Sequence, residues 1–190
     1  MIVLGVDPGT AATGYGVVRR GEPGGPTLME CGVIRTSPRT ALSRRVMEIF
    51  EGIRDVIDRH KPDALAVEGV FFAKNVRTTI VLGHARGVVL LAGEQAGLVI
   101  HEFAPKLIKK TVTGSGGATK QQVQAMVMRL LRLKHAPQPS DAADGVACAL
   151  TCIMGAGFAA RVALIKRLPA GRKVEILRPN LSRIRTGTGR

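Results

Sequence analysis

The sequence predicts one α/β domain built on a mixed sheet, because short apolar segments are followed first by turns and later by helix-length segments. The predicted strands span residues 2–6, 14–20, 27–36, 63–68 and 98–103. Short, turn-rich links join the first three, which favours antiparallel neighbours. Helix-length segments separate the later strands, which favours parallel pairs joined by right-handed crossovers. We therefore expect the first, fourth and fifth strands to run parallel.

The helices follow from hydrophobic spacing and from start and stop signals. Helices are predicted at residues 41–60, 76–95, 105–112 and 141–154, with one more running through Leu130. Lys61-Pro62 ends the first of them, because proline does not continue a helix. Thr119 and Gln122 form a capping box that begins the helix through Leu130. Ser140 is the expected N-cap of the last helix.

Composition limits the size and the partners of the protein. The 190 residues suit one domain, and a hydrophobic fraction of 45% with 3% aromatic residues predicts an aliphatic core. The net charge of +14 favours a polyanionic partner, of which nucleic acid is the commonest. An anionic membrane surface and a generally basic protein remain as alternatives. Residues 1–155 are predicted to form the domain, and residues 156–190 a basic, flexible tail that contains a single acid, Glu175.

Cysteine usage and hydropathy point to a reduced, cytoplasmic protein. Cys31, Cys148 and Cys152 form no disulfide framework, and the last two are expected to be small buried residues. The four histidines lack the spacing of a zinc site. Asp7 interrupts the apolar N-terminus, so no signal peptide is predicted, and no run of 18 apolar residues predicts a membrane span.

Four carboxylates are the candidate metal-binding and catalytic residues. Asp7 ends the first strand and Glu68 ends the fourth, and the carboxyl ends of neighbouring parallel strands lie about 4.8 Å apart. Asp141 and Asp144, spaced i and i+3, share one face at the start of the last helix. Clustered carboxylates repel one another, and a hard divalent cation such as Mg²⁺ removes that repulsion. Two such ions about 4 Å apart assist phosphodiester hydrolysis.

Three of these acids also have an ordinary structural interpretation. Asp7 precedes Pro-Gly and suits a turn. Glu68 could be a charge at a strand end, and Asp141 a favourable charge at a helix N-terminus. The coincidence of all four at the ends of the predicted elements favours a site.

Five ordered segments resemble the RuvC-type Holliday junction resolvases. They are GVDPGTAATGYGVV (5–18), VEGVFFAKN (67–75), GHARGVV (83–89), LIKKTVTGSGGATKQQVQ (107–124) and SDAADGVACAL (140–150). The resemblance implies a ribonuclease-H-like fold, with a five-stranded mixed sheet in the order 3-2-1-4-5 and helices on both faces. It implies a homodimer that resolves four-way DNA junctions by paired symmetric nicks in recombination and repair. It also implies that the branch-migration proteins RuvA and RuvB deliver the junction.

The same resemblance assigns roles to residues. Asp7, Glu68, Asp141 and Asp144 match the metal-binding acids of the family, for two Mg²⁺ or Mn²⁺ ions. Phe71 matches an aromatic residue that stacks on an unpaired base, and Phe72 beside it would assist or pack in the core. Lys109 and Lys120 match lysines that bind the scissile phosphate. Lys110 and Arg77 are weaker candidates for contacts with the DNA backbone.

Three other functions are compatible with parts of the sequence. Asp7-Pro8-Gly9-Thr10 imitates the first phosphate loop of actin-like ATPases, which need two such domains and a longer chain. A non-catalytic junction-binding protein would share the basic charge but would have no use for clustered acids. A relative acting on RNA–DNA hybrids or another branched substrate would keep the same site. Cleavage of junctions, with nuclease activity lost in Asp7→Asn, distinguishes the resolvase from the first two.

Overall fold

A computed structural model describes residues 1–21, 24–69 and 76–155 of the chain. The elements in chain order are β1 (Ile2–Asp7), β2 (Ala12–Arg19), β3 (Thr27–Arg35), α1 (Leu42–His60), β4 (Ala64–Glu68), α2 (Val76–Gln95), β5 (Val99–Phe103), α3 (Pro105–Thr113), α4 (Lys120–Leu130) and α5 (Ser140–Met154). All the predicted strands and helices are present within a few residues of their expected bounds. The predicted tail, residues 156–190, lies outside the described residues.

The five strands form one mixed sheet in the order β3-β2-β1-β4-β5. β1 pairs with β2 and β2 with β3 in antiparallel register, as the short links predict. β1 pairs with β4 and β4 with β5 in parallel register. The predicted strand order and directions are therefore confirmed, and the carboxyl ends of β1, β4 and β5 meet at one edge.

Alternation along the strands divides the core between two faces of the sheet. Val3 of β1 packs with α3, α4 and α5 on one face, whereas its neighbour Leu4 packs with α1 and α2 on the other. The large fully buried side chains in the described ranges are Leu, Ile and Val, so the aliphatic core is confirmed. Successive strand residues point to opposite faces, and this alternation decides which end residues face α5.

Glycines allow α5 to lie unusually close to the sheet. A Cβ atom on Gly5, Gly14 or Gly16 would overlap atoms of α5, and a Cβ on Gly145 of α5 would lie 2.5 Å from the Cα of Tyr15. Real Cβ atoms do not approach other atoms so closely, so these positions require glycine for the observed packing. This packing fixes the start of α5 over the ends of β1 and β2.

The helix ends confirm two predictions and correct one. The Thr119 side chain accepts from the Gln122 amide at 3.3 Å while the Gln122 side chain accepts from the Thr119 amide at 2.8 Å. Lys61 ends α1 in a left-handed conformation. Ser140 is not the N-cap of α5: extended Pro139 holds that position, and its carbonyl accepts from the Ala142 amide at 2.9 Å. Pro139 has an extended ψ of 174°, so the helical conformation begins only at Ser140, which lies in the first turn.

The described cysteines are free, as expected. Cys148 and Cys152 are buried in the core between α5 and the sheet, and burial raises the pKa of both thiols, to about 12 for Cys152. Of the described helices, none combines the length and apolar character that crossing a bilayer requires.

Candidate active site

Strand alternation brings the Asp7 and Glu68 carboxylates to the same face of the sheet. Val6 and Val67 are the last residue pair of the β1–β4 ladder and point toward α1 and α2. The next residue in each strand, Asp7 and Glu68, therefore points toward the opposite face, which α3, α4 and α5 cover. The two carboxylates consequently lie side by side at the carboxyl edge of the sheet, as the sequence predicts.

Hydroxyl groups brace the loop that follows Asp7. The buried Thr13 hydroxyl donates to the Gly9 carbonyl at 2.7 Å. The Thr36 hydroxyl donates to the Thr10 carbonyl and accepts from Arg45 Nε at 2.9 Å. These bonds tie the loop to β2 and to the start of α1, so the turn at Pro8-Gly9 holds Asp7 in a defined place.

The start of α5 adds two more carboxylates beside a lysine. Asp141 and Asp144 lie one helical turn apart, and both side chains meet the ammonium of Lys120. Lys120 Nζ lies 3.2 Å from Asp141 Oδ1 and 2.7 Å from Asp144 Oδ2. Lys120 is the first residue of α4, and the capping box at Thr119 fixes its backbone.

Asp7, Glu68, Lys120 and Asp144 border one open cavity of about 200 Å³. Its lining consists of Asp7, Glu68, Pro105, Ile108, Lys109, Lys120, Val123 and Asp144. Three acids and two lysines therefore converge on a space whose apolar walls come from α3 and α4. Asp141 joins this set through its ion pair with Lys120.

The two strand-end acids hold their protons unusually strongly. Burial, followed by repulsion from Asp144, raises the pKa of Asp7 to about 6 against the attraction of Lys120. Burial, followed by repulsion from Asp7 and Asp144, raises the pKa of Glu68 to about 7 against the attraction of Lys109 and Lys120. Because Asp7 and Asp144 raise the pKa of other acids in the set, the carboxylates act as one electrostatic cluster.

Burial and ion pairing have opposite effects on the pKa values of Asp144 and Lys120. Burial raises the pKa of Asp144, although its hydrogen bond to Lys120 opposes that shift. Partial burial alone would lower the pKa of Lys120, but hydrogen bonds and attraction from Asp144 and Asp141 raise it. The ammonium therefore neutralises part of the acid cluster.

The donor set suits a hard divalent cation. Carboxylate oxygens are the protein ligands that Mg²⁺ and Mn²⁺ prefer, and a cation relieves the repulsion that raises the pKa values of Asp7 and Glu68. Among the residues that the structure describes, no three acids, histidines or cysteines stand close enough to form a ready ion cage. The cation that lies beside these acids in the structure is Lys120, whose ammonium contacts the Asp141 and Asp144 oxygens.

The residues predicted to bind DNA differ in their positions relative to the cavity. Lys109 lines the cavity, and its role in phosphate binding stays a prediction. Lys110 lies in the last turn of α3 with an exposed side chain, and it is not among the described residues that line the cavity. Phe71 and Phe72 lie outside the described residues. Arg77 belongs to the first turn of α2, but its side chain is also outside the described part.

Sequence reasoning missed the residues that support the acids. Thr13 and Thr36 brace the Asp7 loop, and Ile108 and Val123 form apolar walls of the cavity. The spacing of Gly14 and Gly16, two apart on one face of β2, was a visible signal of close packing. The wall and hydroxyl residues had no distinguishing local pattern.

Fold and site together define the class of the protein: a ribonuclease-H-like α/β domain with an acidic, lysine-flanked cavity at the carboxyl ends of β1 and β4. A family model described as crossover junction endodeoxyribonuclease RuvC matches residues 3–152. Curated proteins of that description are similar to the chain. The one from Desulforamulus reducens is 46% identical over 151 residues, covering 79% of this chain and 91% of its own. The one from Pelotomaculum thermopropionicum is 45% identical over 152 residues, with the same coverage.

Solved structures of proteins from the same family are similar to this chain. Thermus thermophilus RuvC in complex with a Holliday junction substrate has a TM-score of 0.77 and 37% identity, covering 86% of this chain and 96% of that one. A separate structure of Thermus thermophilus RuvC has a TM-score of 0.75 at the same identity. The chain belongs to the RuvC family of crossover junction endodeoxyribonucleases.

Proposed function

We propose that this chain resolves four-way DNA junctions by paired, metal-assisted hydrolysis of phosphodiester bonds in the cytoplasm, during recombination and repair. The observation that carries the proposal is the convergence of Asp7, Glu68 and Asp144 with two lysines on one cavity of a strongly basic protein. The basic surface attracts DNA, while the acidic cavity requires a cation before a phosphate can approach. Family membership supplies the junction as the substrate.

Asp7, Glu68, Asp141 and Asp144 are the proposed ligands of two Mg²⁺ or Mn²⁺ ions in each site. Bound divalent ions supply Lewis-acid stabilisation of phosphate charge and lower the pKa of a water molecule. The packing of α5 on Gly5 and Gly14 limits the movement of the helix, and so of the Asp141 and Asp144 carboxylates. The donor chemistry therefore suits hydrolysis of a phosphodiester.

The chain's own cations and apolar walls complete the proposed mechanism. Lys109 and Lys120 hold the oxygens of the scissile phosphate and stabilise the charge that develops on them. Pro105, Ile108 and Val123 give the cavity apolar walls, and a lower local dielectric strengthens those electrostatic interactions. Phe71 with Phe72 would stack on bases near the crossover, and Arg77 with Lys110 would contact the backbone.

The outer face of α2 supports a homodimer. Ala85, Val89 and Ala92 bury one face of α2 in the core, yet the opposite face is also apolar. Ile80 is 57% exposed there and Leu91 50%, and Gly83, His84, Gly87 and Val88 complete the surface. Exposed apolar residues opposite the face that packs in the core favour a second protein surface over α2. A two-fold interface through α2 would provide two identical sites for two equivalent strands.

Asp7→Asn tests the metal-site assignment. With Mg²⁺ present, the wild type is expected to nick a synthetic four-way junction symmetrically, leaving ends that ligase seals. Asp7→Asn is expected to bind the junction within a few-fold of wild type and to cleave it more than about 100-fold more slowly, since it loses a carboxylate ligand. Glu51→Gln, which removes an exposed carboxylate from α1, is the matched control. Full cleavage by Asp7→Asn would refute the assignment.

A substrate panel separates the remaining functions. Junctions, flaps, duplex DNA and RNA–DNA hybrids should be compared at equal concentration and salt, and strong preference for the junction is expected. Wild-type protein that binds junctions but never cuts them with Mg²⁺ or Mn²⁺ would establish a non-catalytic binding protein instead. Family membership also leads us to propose delivery of the junction by RuvA and RuvB, which co-purification on junction DNA tests.

A further inference from the structure

The ammonium of Lys120 lies within the acid cluster, against carboxylate oxygens of the proposed metal ligands. Its ammonium contacts Asp141 Oδ1 at 3.2 Å and Asp144 Oδ2 at 2.7 Å, and it also attracts the charges of Asp7 and Glu68. The capping box at Thr119 fixes the backbone of Lys120, whereas its side chain is 44% exposed. A lysine stem that is anchored at one end and partly exposed can change rotamer without disturbing α4.

An ammonium and a divalent ion compete for the same oxygens. Each neutralises the repulsion between Asp141 and Asp144, and each needs the oxygens that the other contacts. A metal ion that takes these oxygens therefore has to displace the ammonium from them. Lys109, in contrast, acts electrostatically on Glu68 and Asp144 from the wall of the cavity.

We infer that Lys120 is a resident counter-cation, which holds the α5 carboxylates together while the site is empty and is released toward the DNA phosphate when metal binds. This inference rests on the proposed metal site. Metal binding frees a positive charge beside the cavity, so metal and DNA should strengthen each other's binding. By linkage, DNA raises the affinity for metal by the same factor as metal raises the affinity for DNA.

Metal affinity in the absence of DNA tests the competition. Mn²⁺ binding to the full chain would be measured by calorimetry and by electron paramagnetic resonance for the wild type and Lys120→Met. Removing the competing ammonium should tighten binding roughly ten-fold, the size of a typical coupling between two ligands. Lys109→Met removes a charge from the same cavity without vacating the α5 oxygens, so a gain of at most about three-fold is expected. Lys134→Met, on an exposed loop, controls for net charge and should show no gain.

The ammonium itself provides a second measurement. A paired lysine ammonium gives a detectable ¹H–¹⁵N correlation, which Lys120→Met would identify by its loss. The inference requires that signal to shift or vanish as Mg²⁺ saturates the wild type. An unchanged signal at saturation, or Mn²⁺ affinity in Lys120→Met equal to that of Lys109→Met, overturns it. Metal binding that Asp7→Asn abolishes and Lys120→Met leaves unchanged overturns this inference alone. Failure of the wild type to bind metal overturns the proposed function as well.

Discussion

The position of Asp7 at the site lowers the stability of the folded protein above about pH 4. Burial and the repulsion of Asp144 raise its pKa from an ordinary 3.8 to about 6. The native state therefore binds the Asp7 proton more tightly than the unfolded chain does. Stability falls as the pH rises from about 4 to about 6, and the loss persists above that range. At 1.36 kcal/mol per pKa unit, the cost at pH 8 is at most about 3 kcal/mol.

Asp7→Asn is therefore expected to stabilise the protein in a chelator at pH 8. A gain of about 1–2 kcal/mol in the free energy of unfolding is expected there, because the substitution removes the buried charge. Near pH 4 the gain should be much smaller, since the carboxyl is then largely protonated in the native state. Urea denaturation at both pH values measures the difference. Glu51→Gln should gain nothing at either pH, and an equal gain for Asp7→Asn at both would contradict the electrostatic explanation.

At the scale of elements, the contact between α5 and the β1–β2 pair joins the fold to the site. Gly145 lies against the backbone of Tyr15, and Gly14 lies against the carbonyl of Asp141. The helix can therefore bring Asp141 and Asp144 over the end of β1. Bulkier residues at these positions would push the start of α5 away from Asp7.

Gly145→Ala tests that packing. The added methyl group would overlap strand backbone, so a loss of about 1–3 kcal/mol is expected, despite the higher helix propensity of alanine. Cleavage should fall as well, because the α5 carboxylates move relative to Asp7. Ser140→Ala in the same helix is the control: Pro139 is the N-cap, so a change of under about 0.5 kcal/mol is expected. Chemical denaturation of both variants measures these values, and equal stability of Gly145→Ala and wild type would refute the close-packing argument.

The apolar outer face of α2 gives a second prediction at this scale. Leu91→Glu places a charge in the proposed dimer interface and should produce monomers at micromolar concentration. Analytical ultracentrifugation measures the oligomeric state. Met47→Glu on α1 alters a residue of nearly equal exposure, 47% against 50%, and should leave the dimer intact. A dimeric Leu91→Glu protein would assign the interface to another surface.

At the scale of the whole molecule, charge is distributed unevenly along the chain. Residues 156–190 carry nine Lys or Arg and one acid, a net charge of +8, and the remaining residues carry +6. Lysine and arginine side chains that bind phosphates release counterions, so they determine how steeply affinity falls with salt. We expect the terminal segment to increase DNA affinity without regard to sequence.

Deletion of residues 156–190 should flatten the salt dependence of junction binding. For every phosphate that the shortened chain no longer neutralises, the slope of log affinity against log salt should become shallower by about 0.9. Titrations of junction DNA at several salt concentrations, with full-length and shortened chains, measure that slope. The preference for junctions over duplex should survive the deletion, because the α/β domain carries the site. An identical slope in both chains would remove this role for the terminal segment.

The local order of the chain was predictable because each signal for it is local. Strand length, helix spacing, the Thr119–Gln122 capping box and the short links of β1 to β3 act over a few residues. Strand order and direction followed from link lengths together with the family resemblance, and Asp7 and Glu68 followed from their places at strand ends. The error at Ser140 was an error of one residue: the backbone becomes helical at Ser140 itself, so extended Pro139 holds the N-cap position despite the capping preference of serine.

The tertiary structure alone decided how the acids are held. The packing of α5 on strand glycines, the walls from Ile108 and Val123, and the threonine bonds around the Asp7 loop depend on contacts between distant segments. The ion pairs of Lys120 with Asp141 and Asp144 join residues 21 and 24 positions apart. By itself the sequence determined which acids could form a site and on which elements they lie. Only folding determined their distances, burial and pKa values, because these depend on what packs around each carboxylate.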